Sequence, residues 1–216
     1  MKNKFFLILT LITYRPVFAQ PLVGFEHYYC TGSTASTTLA GRFYYRNNSG
    51  FYADLRYNYE AERTAGVSLG RSFRGDAGAR SDWAWSVTPT VGWMTGIFRG
   101  LSLGTHFSLD HGQWSFSSMV QVSPAKDDGY GYSWSEVGRS FGSRFYLGGA
   151  LQQDCRFGSG CVFTPGVQGQ LLLGEWTFPV YCFVSSGTGA WFLFGVTREW
   201  GLRKKIVNLK NTPLSQ

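Results

Sequence analysis

Apolar and polar residues alternate with a period of two along most of the chain, in runs split by Gly, Asn, Asp and Ser. The clearest run is Trp83 to Trp93. Trp83, Trp85, Val87, Pro89, Val91 and Trp93 share one face, and Ala84, Ser86, Thr88, Thr90 and Gly92 share the other. Phe51, Ala53, Leu55, Tyr57 and Tyr59 oppose Tyr52, Asp54, Arg56, Asn58 and Glu60 in the same way. Leu101, Leu103, Phe107 and Leu109 oppose Ser102, Gly104, His106, Ser108 and Asp110, and a further apolar face runs Trp176, Phe178, Val180, Cys182, Val184. Reading every such run predicts about twelve strands, at 22–30, 37–46, 51–60, 63–73, 83–93, 100–109, 113–123, 130–138, 144–152, 162–173, 175–185 and 190–200. If 22–30 is not a strand, the even count becomes about ten. No segment has a helical period and no linker divides the chain, so neighbouring strands are expected to pair antiparallel in one all-β domain, 20–200.

Such a pattern fits a soluble barrel or sandwich, apolar inside, or a transmembrane β-barrel, in which the aromatics face lipid and the polar residues line the lumen. The polar faces decide for the second. They carry Gly, Ser, Thr and Gln with few Lys or Glu, which is not how a solvated surface is made. Trp and Tyr stand at strand ends, as Tyr57, Tyr59, Trp83 and Trp93 do, where interfacial girdles belong. The strand lengths match the 9–11 or so residues that cross a bilayer at a tilt.

Composition sharpens this. Aromatics make 18% of the chain and charged residues only 15%, against about 25% charged in an ordinary soluble domain. The formal charge of +7 suggests nucleic acid until the charges are located. Lys2, Lys4, Arg15, Arg203, Lys204, Lys205 and Lys210 account for the surplus, so the body from Gln20 to Trp200 is formally neutral and shows no basic stripe. Lys2 and Lys4 precede an apolar run, Phe5 to Ile12, broken only by Thr10, and Val17-Phe18-Ala19 follows. These features predict a signal peptide over 1–19, the apolar run being too short to span a bilayer. The stretch 201–216 is expected to be a basic tail.

On this pattern the chain resembles the small, porin-like outer-membrane β-barrel proteins of Gram-negative bacteria. Arg56-Tyr57-Asn58-Tyr59-Glu60 and Tyr132-Ser133-Trp134-Ser135-Glu136 look like signature segments. The resemblance implies export to the outer membrane, lipid as the surrounding partner, and small polar or anionic solutes as passengers, with no cofactor and no nucleic acid. One departure is clear. Such barrels commonly end on an aromatic residue, and here Trp200 is followed by the tail.

Candidate chemistry lies on the polar faces. Arg42, Arg46, Asp54, Arg56, Glu60, Asp110 and Arg144 are expected in the lumen, as an ion-pair ladder or a charged constriction that selects by sign. A three-residue loop from Asn47 to Ser49 would set Arg42 opposite Asp54. A narrow water-filled passage is expected, constricted near Arg42, Arg56 and Arg144 and partly filled by Tyr44, Tyr52, Tyr146 and Tyr181. A slight excess of arginine over Asp54 and Glu60 favours anions.

Two other functions are consistent with the residues. His106, Ser108 and Asp110 share a strand face, similar to the His and Ser of outer-membrane acylhydrolases, and would make the barrel a lipid hydrolase. A soluble secreted β-barrel binding protein is the other. Cys155 and Cys161 flank a short loop and form either a disulfide, as export permits, or two free thiols. Cys182 falls on the apolar face, Cys30 stands near the first loop, and no spacing suggests a metal site. No P-loop, zinc-protease or nucleophile-elbow motif is present.

Overall fold

A computed structural model describes residues 21–32, 38–58, 63–76, 82–124, 129–185 and 189–201. The expected leader, Glu60 and the tail beyond Gly201 lie outside the described residues. The first half of the chain folds into β1 (Leu22–Gly32), β2 (Thr38–Arg46), β3 (Phe51–Tyr57), β4 (Thr64–Arg71), β5 (Phe73–Asp76), β6 (Trp83–Gly96) and β7 (Gly100–His111). The second half supplies β8 (Trp114–Ser123), β9 (Tyr130–Phe141), β10 (Phe145–Arg156), β11 (Gly160–Leu173), β12 (Trp176–Ser185) and β13 (Gly189–Trp200).

Each strand pairs antiparallel with its neighbours, and β1 pairs with β13, from Val23 opposite Trp200 to Gly32 opposite Trp191. The sheet is therefore a closed barrel without edges. The thirteen segments make twelve staves, because β4 and β5 are one strand. Both pair with β6 in a single register, Gly70 opposite Thr90 and Phe73 opposite Val87. The interruption faces Pro89, which has no N–H to give to a ladder. Ser72 within it donates its own N–H to Gly50 O at 2.7 Å. Pro179 leaves a similar gap between β12 and β13, where pairing stops at Thr177 and resumes at Val180.

The turns 47–50, 112–113, 142–144 and 174–175 gather at the end of the barrel where β1 starts and β13 finishes. One register differs from expectation. The 47–50 turn closes with Asn47 N–H donating to Phe51 O at 3.0 Å and Gly50 N–H donating to Asn47 O at 3.1 Å, with Gly50 at φ 86°. Gly50 thus joins the loop in a left-handed conformation that glycine takes without strain. Arg42 therefore faces Arg56, and Asp54 faces Tyr44 instead of Arg42.

The alternation sorts the side chains as a membrane barrel requires. Leu103 and Val167 point outward at 49% and 64% exposure, whereas Tyr52, Gln121 and Gln168 point inward at 5%, 4% and 4%. Trp83, Trp114, Trp176 and Trp200 ring one end of the outer surface. Arg139 lies over Trp114, and Arg198 lies over Trp176 and Trp200, with guanidinium carbons 4.7–5.9 Å from the ring centres. Such aromatic–cation pairs suit the headgroup level, where a ring meets hydrocarbon and a charge meets water.

The core of this protein is its lumen. Small residues in it stand beside large ones. Gly24 lies under the Tyr44 ring and Gly166 beside Phe183, and a Cβ at either glycine would meet those rings at 2.0–2.5 Å. An aromatic laid over a cross-strand glycine fills the inner surface and covers the bare backbone.

Candidate functional site

The charged residues of β2 and β3 meet in the lumen around one carboxylate. Asp54 Oδ2 accepts from Arg56 Nε at 3.0 Å, from Arg56 Nη2 at 2.7 Å and from the Tyr52 hydroxyl at 2.9 Å. Arg42 Nη2 is 3.5 Å from the same oxygen, a diagonal contact across the β2–β3 ladder. Arg42 also donates to Glu26 Oε1 on β1 at 3.2 Å, and to the Tyr52 hydroxyl. The two arginines face each other directly, an arrangement that like charges disfavour. The two carboxylates make it neutral as a group.

From β3 the Arg56 side chain crosses the bore. Its Nη1 donates to Gln121 Oε1 on β8 at 2.7 Å and approaches Met119 Sδ at 3.4 Å. Gln121 in turn reaches Met94 Sδ on β6 at 3.0 Å. The His106 ring lies between the two guanidinium groups, Nδ1 at 3.3 Å from Arg42 and Nε2 at 3.2 Å from Arg56. A neutral imidazole has one acceptor nitrogen, so one arginine at a time donates to it. The side chains of Arg56 and Asp54 are 3% and 0% exposed. At this level the lumen is filled by side chains and is not open water.

The far side of the lumen is aromatic. Glu136 Oε1 accepts from Trp134 Nε1 at 2.5 Å and from the Tyr181 hydroxyl at 2.8 Å, tying β9 to β12. Trp134 meets Tyr181 and Phe183 edge-on, and Trp191 stacks on Phe183 at 4.3 Å. Two cavities lie along β9 and β10 at the end opposite the short turns. One of about 460 Å³ is bordered by Phe98, Tyr130, Asp154 and Arg156. Two residues deeper on each strand, Tyr132 and Gln152 border a second of about 150 Å³. Cys155 and Cys161, directly opposite on β10 and β11, are joined as a disulfide beside the larger cavity.

The structure brings together Arg42, Asp54 and Arg56 from the sequence-derived lumen set. Arg46 shares their face, half-buried. Arg144 does not belong with them, because it sits exposed in the 142–144 turn, where its backbone carbonyl accepts from Leu172 N–H at 2.7 Å. Glu26, Met94 and Met119 enter the site without having been singled out, and Glu136 enters it having been named only within a signature segment, although alternation alone puts all four on inward faces. His106 enters it in a different role. Its ring nitrogens meet arginines, Ser108 Oγ pairs with Ser86 Oγ at 2.7 Å, and Asp110 is exposed at its strand end. No His–Ser–Asp relay is formed among the described residues.

No protein-family model matches the chain, and no curated protein sequence does either. Among solved structures, the KdgM porin in complex with disordered oligogalacturonate superposes with a TM-score of 0.55 at 12% identity, over 82% of this chain and 98% of the porin. The NanC porin superposes with a TM-score of 0.54 at 12% identity and the same coverage. The fold is that of a small, porin-like outer-membrane β-barrel. At this identity the likeness concerns the fold alone, and the lumen side chains must be read on their own chemistry.

Proposed function

We propose that the protein is a narrow passive channel of a bacterial outer membrane, passing small polar solutes, anions among them, through a constriction made by Arg42, Asp54, Arg56 and His106. The observation that carries this reading is the Arg56 side chain, rooted on β3 and hydrogen-bonded to Gln121 on β8, across the bore. An arginine head on a long jointed stem is a movable barrier, able to leave Gln121 for a passing anion. The KdgM porin has been solved in complex with oligogalacturonate, an anionic sugar chain, which agrees with arginines as the polar groups a solute meets. Glu26 neutralises Arg42 and Arg144 stands apart, so the anion preference expected from the arginines is reduced to a weak one.

A packed structural barrel is the second reading, favoured by the near-complete burial of Arg56 and Asp54. Planar-bilayer recording with the refolded protein separates the two. The channel reading expects small stepwise conductances with a weak anion preference, reversed in Arg56→Glu and enlarged in Arg56→Ala. A silent wild type and a silent Arg56→Ala would establish the packed barrel. Lipid hydrolysis lost in His106→Ala would instead make it an enzyme.

A further inference from the structure

The smaller lumen cavity differs from the constriction in having no charged residue among the described residues of its wall. Tyr28, Tyr132, Trp134 and Trp191 give it aromatic sides, and Ala40, Leu193 and Cys30 complete an apolar lining. Three uncharged polar side chains, Thr38, Asn58 and Gln152, also border it. All three are already engaged, Thr38 Oγ1 accepting from Asn58 Nδ2 at 3.5 Å. Asn58 Nδ2 donates to Leu39 O at 3.0 Å and its Oδ1 accepts from Arg63 N–H. Gln152 Nε2 donates to Asp154 Oδ2 at 2.7 Å, which leaves its carbonyl oxygen and its second N–H for a ligand.

The walls are fixed before any ligand arrives. Trp191 is backed by Phe183 at 4.3 Å, and Trp134 is held edge-on by Tyr181 and Phe183 and anchored through its indole N–H to Glu136. A preorganised wall spares a ligand the cost of ordering it. Size selects further. This half-open pocket of about 150 Å³ has room for one small ring, the size of ligand that a closed apolar cavity of that volume accepts. A hydroxyl-rich ring carries more donors than Thr38, Asn58 and Gln152 can meet, and no cation among the described lining residues would pair a carboxylate, so either would be left unmatched at a cost.

We infer that this cavity is a binding site for one neutral aromatic ring of phenol size, its hydroxyl donating to the Gln152 carbonyl and its faces lying on the aromatic walls. The site deepens the channel reading and rests on it for its role, because an occupied ring lies in the same lumen as the Arg56 barrier. It does not need that reading for binding.

Fluorine NMR of 4-fluorophenol with the folded full-length protein in lipid nanodiscs tests the inference. Saturable binding beyond that of empty nanodiscs is expected, displaced by phenol and not by benzoate or glucose. Ala40→Leu fills the cavity and should weaken the affinity by about tenfold or more, whereas Trp176→Phe on the outer surface should leave it unchanged. Displacement on the unmodified protein needs no variant to fold. No saturation, equal displacement by benzoate or glucose, or undiminished binding in a folded Ala40→Leu barrel would overturn the site. Bilayer current recorded with phenol separates the two readings. Binding without any current supports the site and ends the channel reading, and current without binding does the reverse.

Discussion

Arg56 makes two hydrogen bonds to a single oxygen of Asp54, from Nε at 3.0 Å and Nη2 at 2.7 Å, and shares that oxygen with Arg42 Nη2 at 3.5 Å, so the carboxylate screens the two cations from each other. Arg42 and Arg56 are exact cross-strand partners in the β2–β3 ladder. Without the carboxylate, two cations would face each other in the lumen.

Asp54→Ala should therefore cost about 3–5 kcal/mol, the usual loss when one member of a buried ionic group is removed. Removing Arg42 or Arg56 as well should restore part of it, because fewer cations are then left unpaired. Urea titrations of refolding into lipid vesicles, run as a double-mutant cycle, measure the difference. Additive losses would argue against direct coupling.

The outer wall gives a second expectation. Leu103 faces outward on β7 between Val91 on β6 and Val122 on β8. Leu103→Arg should destabilise the barrel by about 2–4 kcal/mol if the position lies mid-bilayer. The same urea titration reads it, and a neutral result would mean that this face meets water.

Glycines in the lumen should not be interchangeable with those outside. A Cβ on Gly166 meets Phe183 at 2.5 Å and the Cys182 carbonyl at 2.8 Å, whereas at Gly169 its nearest contact is the Leu147 side chain at 3.4 Å. Overpacking of the first kind typically costs about 1–3 kcal/mol. Gly166→Ala should lower the urea midpoint clearly, and Gly169→Ala should scarcely move it.

The Cys155–Cys161 disulfide closes a short loop between residues already paired in the β10–β11 ladder. Chain-entropy reasoning for so short a loop gives about 2 kcal/mol. The double change Cys155→Ser with Cys161→Ser should shift the unfolding midpoint by no more than that, and a reducing agent should shift only the parent protein.

The strands were legible in the sequence because alternation is a local property. Facing inward or outward depends on the parity of a residue within its own strand, so Leu103 outside and Gln121 inside follow from the pattern alone. The shortfall at the β2–β3 turn came from the one glycine whose left-handed conformation moves the three-residue loop one position along the chain, Gly50. Taking Ser49 as the last loop residue kept Arg42 and Asp54 on the correct face while displacing them along the ladder. Arg144 was misplaced for a related reason: a polar residue at a strand end can equally belong to the turn.

The chain's own pattern therefore determined an all-β barrel, its strand count, its outward-facing side and which residues share the lumen. What those residues do to one another was decided only by closure of the barrel. Arg56 meets Gln121 sixty-five positions away, and Tyr44 meets Glu199 one hundred and fifty-five away. Side-chain direction is fixed by neighbouring residues in a strand. A contact across the bore depends instead on the stagger and curvature of every strand between its two ends, and no local pattern carries that sum.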